Sequence, residues 1–296
     1  MTMAPGRPFD AGEDSVEHPG AADRMRAIYG ADRPILDRYV AWVGAFAQLD
    51  LGVSYSYRRP VADLLGESLG NTALLAGAAI ALQFTIGVVV GALAARRRKG
   101  VVDSLVTWTA ALVYSIPSYW IGLVLVWIAS VTLRWLPASQ MHALDAAGSG
   151  PARILDSVRH LILPCLALTL PTGAGIVLFL REEMRSALAL PCVRAARARG
   201  VSEPRIVWRH ALGNALVPLT TLFGLGLPAL AGGSVVVEVL FAWPGMGRLL
   251  YQAVLARDLP LILGGTGVVS VMVVLGSLAA DILAAAIDPR VRDATA

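Results

Sequence analysis

The chain has 296 residues, 56% of them hydrophobic and 16% charged, with a mean hydropathy of +0.64. Ordinary soluble domains carry about 25% charged residues, so this composition excludes a soluble globular protein and indicates an all-α membrane protein with several spans. The net charge of +4 is gathered in a few loops, where it reports topology and calls for no nucleic-acid partner.

Crossing the hydrocarbon core takes about 20 apolar residues as a helix. Residues 1–70 contain no such run and carry 10 acidic and 7 basic residues. Their first twenty residues are rich in Pro, Gly, Asp and Glu and read as disordered, so 1–70 is expected to be an extracytoplasmic, partly disordered segment. No charged-then-apolar signal peptide is visible at the start. Residues 71–288 hold five stretches of spanning length: about 72–95, 104–133, 161–180, 215–237 and 261–287. Pro117 lies inside the second, Pro164 and Pro171 inside the third, and Pro218 and Pro228 inside the fourth. Membrane helices tolerate proline where neighbours satisfy the freed carbonyls.

Segments 96–103, 181–212 and 289–296 together carry 13 basic residues, against 5 in the alternate loops 134–160 and 238–260. The positive-inside rule puts the first set, with the C-terminus, in the cytoplasm. Residues 1–70 would then lie outside with no span ahead of them to carry them across, a conflict that a missing first helix would resolve. Cys165 falls in an apolar run and Cys192 in a cytosolic segment, so neither a disulfide nor a metal site is expected.

The cytosolic segment 181–212 is the most informative. Pro191 suits the first turn of a helix. Val193, Arg194, Ala195, Ala196, Arg197, Ala198 and Arg199 form a short basic helix that Gly200 would end. After Val201, Ser202 can cap a second helix, with Pro204 early in it, Ile206, Val207 and Leu212 on an apolar face, and Arg209 and His210 beside them. Two short helices joined at a glycine make a rigid knuckle. It is either a docking element for a cytosolic partner or a positive-inside loop lying on anionic lipid. No G-x-x-x-x-G-K-[ST] phosphate loop occurs, and Lys99-Gly100 lacks the glycine pattern and the hydroxyl. Any ATP chemistry therefore belongs to another chain, and no cofactor is expected on this one.

Other polar residues leave alternatives open. Asp281 is either a proton-coupling carboxylate or a packed one paired near the interface. Gln83 either lines a path or bridges helices. The lone His210 reads as packing, and Glu182-Glu183 beside Arg181 and Arg185 as a solvated helix end. Gly224, Gly226, Gly232 and Gly233 permit close helix packing or a flexible gate. Trp120, Trp127 and Trp135 read as interfacial or packing aromatics. The run from Trp243 through Pro244 and Gly245 to Arg248 is either a re-entrant element at the mouth of a path or a plain surface turn. The translocation-path and gate candidates are thus Gln83, Pro117, Gly232, Gly233, Trp243, Pro244, Gly245 and Asp281.

Residues 193–205 (VRAARARGVSEPR) and 209–218 (RHALGNALVP) resemble the coupling-helix motif of binding-protein-dependent permeases, and more narrowly the dipeptide/oligopeptide (and nickel) permeases. Further matches follow in chain order: 50–55 (DLGVSY) with 59–61 (RPV), 115–120 (SIPSYW), 135–139 (WLPAS), 238–247 (EVLFAWPGMG) and 288–292 (DPRVR). The resemblance covers nearly the whole chain. It implies six helices, a second homologous permease subunit, two cytosolic ATPase subunits or domains, an extracytoplasmic solute-binding protein and a surrounding lipid membrane. It makes 193–202 with Arg209 and His210 the ATPase-coupling interface. The chain departs from the pattern in lacking the first helix, in Arg194 where the general motif has Glu, and in Pro191-Cys192 where relatives have Asp-Tyr. The expected function is a permease subunit of an ATP-driven importer of peptides or similar solutes, not itself an enzyme. The competing readings are an ion- or proton-coupled secondary carrier, an intramembrane enzyme, and a truncated, non-transporting membrane scaffold.

Overall fold

A computed structural model of the chain describes residues 34–96, 100–143, 150–226 and 235–287. Helix is the only regular structure among them. The helices are α1 (Ile35–Ala47), α2 (Val61–Arg96), α3 (Val101–Ser115), α4 (Ser118–Leu125), α5 (Pro151–Leu188), α6 (Pro191–Ala198), α7 (Glu203–Arg205), α8 (Leu212–Gly226), α9 (Val235–Leu240), α10 (Met246–Leu255) and α11 (Leu259–Ile287). Widened π-type turns over Val126–Thr132 and Ile206–Ala211 extend α4 and join α7 to α8.

Three helical stretches are long and apolar enough to cross a bilayer, Val61–Arg96, Pro151–Leu188 and Leu259–Ala279, and a fourth if the bent pair Val101–Ser115 and Ser118–Thr132 counts as one span. At about 1.5 Å per residue, the 36 residues of α2 and the 38 of α5 reach well beyond a hydrocarbon core of about 30 Å. Both must project into water. The stretch predicted as one span over 104–133, with Pro117 inside it, is bent by 100° at Ile116-Pro117. A proline disfavours helical backbone in the residue before it, and Ile116 is extended at φ −88°, ψ 130°. The third predicted span lies inside a longer helix: Pro151 stands at its first turn after Gly150 (φ +88°). Residues 181–188, read from sequence as loop, continue α5.

The chain forms two compact units. One comprises Met1–Glu67 and Leu249–Val269. In it α1 lies within 1–70 but beyond the first twenty residues, which are outside the described ones, and its Tyr39, Trp42 and Phe46 rings step along one face. The motif at 50–61 closes on a Val53–Pro60 bridge and wraps around Asp258. That carboxylate is fully buried, accepts from Ser54 Oγ (2.5 Å) and the Ser56 N–H (3.0 Å), and caps α11 through the Leu261 N–H (3.3 Å).

The other unit comprises Ser68–Arg248 and Ser270–Ala296. Here α5 is central, packing against α3, α4 and α8. Separate apolar clusters form along it. Ala110, Ala174 and Val177 join α3 to α5; Leu163, Ala167, Val237 and Phe241 join α5 to α9; Leu75, Ala79, Cys165 and Trp243 gather around its first half.

Candidate functional site

The knuckle predicted at 193–212 is built from α6, α7 and the wide turn into α8. Pro191 sits in the first turn of α6. Gly200 follows its end at φ +79°, the left-handed region where a side chain is strained. Ser202 occupies the N-cap position of α7 with extended backbone, and its carbonyl accepts from the Ile206 N–H at 3.0 Å. Its side chain makes no capping bond, contrary to the sequence expectation.

The knuckle has two faces. Val193, Ala196, Ile206, Val207 and Ala211 are buried among Ala92 and Ala95 of α2 and Leu180, Met184 and Ala187 of α5. Arg194, Ala195, Arg197, Ala198, Arg199, Gly200, Ser202 and Arg209 are exposed, while Val201 and His210 are half-buried. Arg197 bridges the turn to Glu203, with Nε 2.6 Å from Oε1. The hydrogen bond from Arg197 holds the Glu203 carboxyl below its ordinary range. The His210 carbonyl accepts from Asn214 Nδ2 at 2.7 Å.

Close to the knuckle in sequence, α5 carries Arg181 and Arg185, one turn apart. Glu182 is exposed as expected, but Glu183 and the two arginines are half-buried. Both reach across to Asp103 in the first turn of α3, Arg181 Nε to Oδ1 at 2.6 Å and Arg185 Nη2 to Oδ2 at 2.5 Å. Asp103 is 3% exposed. Nothing in the sequence draws attention to it, because its partners lie 78 and 82 residues away.

The run 238–248 is not a surface turn. Trp243 is fully buried and donates Nε1–H to the Asn71 carbonyl at 2.9 Å, while Asn71 Nδ2 donates to the Pro244 carbonyl at 2.9 Å. Glu238 is likewise buried, accepting from Thr72 Oγ1 (2.8 Å) and from the Arg248 N–H (3.0 Å). Thr72 also accepts from the Met246 N–H at 2.8 Å, so the first turn of α10 is capped by two side chains from outside it. A Cβ at Gly245 would stand 2.5 Å from the Glu238 carboxyl carbon, so only glycine fits there. The motif is a locked knot in which Trp243 and Gly245 face inward.

Of the remaining path candidates, Gln83 on α2 bonds to Thr172 on α5 and Pro117 marks the bend between α3 and α4. Gly232 and Gly233 lie outside the described residues, as does the Asp281 side chain. Among the described residues no group of His, Cys, Asp and Glu could hold a metal ion.

The model of the binding-protein-dependent transport system inner membrane component family matches residues 87–293. The chain belongs to this family. It is 37% identical over 292 residues to the oligopeptide transport system permease protein AppB of Bacillus subtilis, covering 98% of this chain and 91% of the relative. It is 35% identical to the di/tripeptide transport system permease protein DppB of Pseudomonas aeruginosa, covering 99% and 91%. The fold is similar to that of a chain of the MetNI methionine ABC transporter in an inward-facing form, with a TM-score of 0.58 and 19% identity, over 76% of this chain and 96% of that one. The permease is thus a multi-pass inner-membrane component of a transport system rather than a catalytic enzyme.

Proposed function

We propose that this permease forms the translocation path for peptides or similar small solutes in an importer driven by separate ATPase subunits. The observation that carries the reading is the two-faced knuckle. Its apolar side is embedded in α2 and α5 and its basic side is exposed, so a push on the exposed side has a rigid route into the bundle. The solute class is supported by the 37% and 35% identical relatives named for oligopeptides and di/tripeptides.

On this reading 96–103, 181–212 and the C-terminus face the cytoplasm. Two ATPase subunits or domains dock on 193–202 with Arg209 and His210. A second homologous permease completes the path, and an external solute-binding protein delivers the solute. ATP is hydrolysed by the partner subunits, and this chain holds no cofactor of its own.

The test is deletion of 193–200 in the assembled system. Membrane insertion should persist while the ATPase no longer co-purifies and uptake falls to background. Normal uptake by the deletion variant would refute the reading.

A further inference from the structure

Helix α3 is tied to the bundle unevenly. Of its fifteen residues only Asp103 and Ala110 are buried. Around Asp103 its first turns are otherwise open: Val101 and Leu105 are 85% and 65% exposed. The very start of α3 is therefore held by a charge, and apolar packing on α5 begins only at Val106. That charge meets two arginines placed four residues apart on one face of α5, and three residues beyond Arg185 that helix ends and the knuckle begins. The apolar cluster under the knuckle includes residues of α2, α5 and α8 but none of α3.

We propose that Asp103 is a positioning residue for energy coupling: its clamp on Arg181 and Arg185 makes the start of α3 move with the knuckle-bearing end of α5. The inference rests on the docking role proposed for 193–202. A buried ion pair at 2.5–2.6 Å is directional and strong only while both partners stay in place, whereas an apolar contact tolerates sliding. The two arginines share one carboxylate, so α3 keeps a tether if either bond is strained during the transport cycle. Asp103 also lies in the first turn of its helix, where a negative charge is favoured by the helix dipole.

The experiment uses the assembled transporter carrying Asp103→Asn, with Asp103→Glu as the conservative variant. Amide hydrogen exchange over 101–107 should be at least about tenfold faster in Asp103→Asn and near the parent rate in Asp103→Glu. In proteoliposomes the solute moved per ATP hydrolysed should fall at least about fivefold in Asp103→Asn, normalised to the amount of assembled complex. If exchange quickens but the ratio holds, the clamp is only structural and the proposal fails. Unchanged exchange also overturns it. Should Asp103→Asn not assemble, Arg185→Gln keeps one arginine and should lower the ratio by a smaller factor; an unaltered ratio there would count against the clamp. The docking reading fails separately, if the ATPase still co-purifies after deletion of 193–200, and the exchange measurement on the permease stands regardless of that result.

Discussion

Thr72 and Glu238, 166 residues apart, meet side chain to side chain at 2.8 Å, and both are fully buried. The Thr72 hydroxyl serves twice, donating to the carboxylate and accepting the Met246 N–H at 2.8 Å. It thereby ties α2 to α9 and to the start of α10. Thr72→Val keeps the shape and removes the hydroxyl, leaving a buried donor and a buried acceptor without their partner. A loss of about 1–3 kcal/mol is expected, read as a lowered thermal midpoint of the detergent-purified protein. Thr72→Ser, which keeps the hydroxyl, should lose less. Equal midpoints for Thr72→Val and the parent would mean that the knot is not held by this group.

Gly245 tests the same knot from the other side. A methyl there would press on the Glu238 carboxyl group at 2.5 Å, and neither partner has room to withdraw. Gly245→Ala should cost about 1–3 kcal/mol by overpacking and open 238–248 to proteolysis. Parent-like resistance to a protease would contradict the cage.

The knuckle was legible in the sequence because its signals are local. Pro191 starts a helix, Gly200 ends it, Pro204 starts the next, and the apolar positions fall on one side. The two-faced burial of Val193 and Ala196 against Arg194 and Arg197 follows from helical spacing alone. Asp103 was missed because a buried ion pair depends on residues far away in the chain, and a lone aspartate early in a helix looks like an ordinary first-turn acid. The run from Trp243 to Arg248 stayed open between a re-entrant element and a surface turn, since Pro-Gly announces reversal but not burial, and nothing local marks Glu238 as its buried partner. The 100° bend at Ile116-Pro117 was hidden by uninterrupted hydrophobicity on both sides, although Pro117 itself was the clue. Helix α1 was invisible to a test for apolar runs of spanning length, being only thirteen residues long.

Gly200 separates the two helices at φ +79° and donates its N–H to the Arg197 carbonyl at 3.0 Å. Proline fixes φ near −65° and has no N–H, so Gly200→Pro cannot keep this turn. The variant should insert in normal amounts, because the spans are untouched, yet lose ATP-dependent uptake. Gly200→Ala, which faces only the left-handed penalty of about 1–2 kcal/mol, should transport at an intermediate rate. Uptake at the parent rate in Gly200→Pro would show that the shape of the turn does not matter to coupling.

Arg199 and Arg209 separate docking on a protein from contact with lipid. Both are exposed and neither forms the Arg197–Glu203 bridge, so reversing their charge should leave stability within about 0.5 kcal/mol. A basic loop on anionic lipid would lose about 1 kcal/mol of surface attraction per charge removed, with no consequence for an ATPase. A docking face would instead present the wrong sign to its partner. Like-charge contact at a buried interface suppresses association strongly. The Arg199→Glu, Arg209→Glu double variant should therefore co-purify with far less ATPase than the parent while its own yield and thermal midpoint stay unchanged. Undiminished ATPase in that preparation would assign the basic face of the knuckle to the membrane surface.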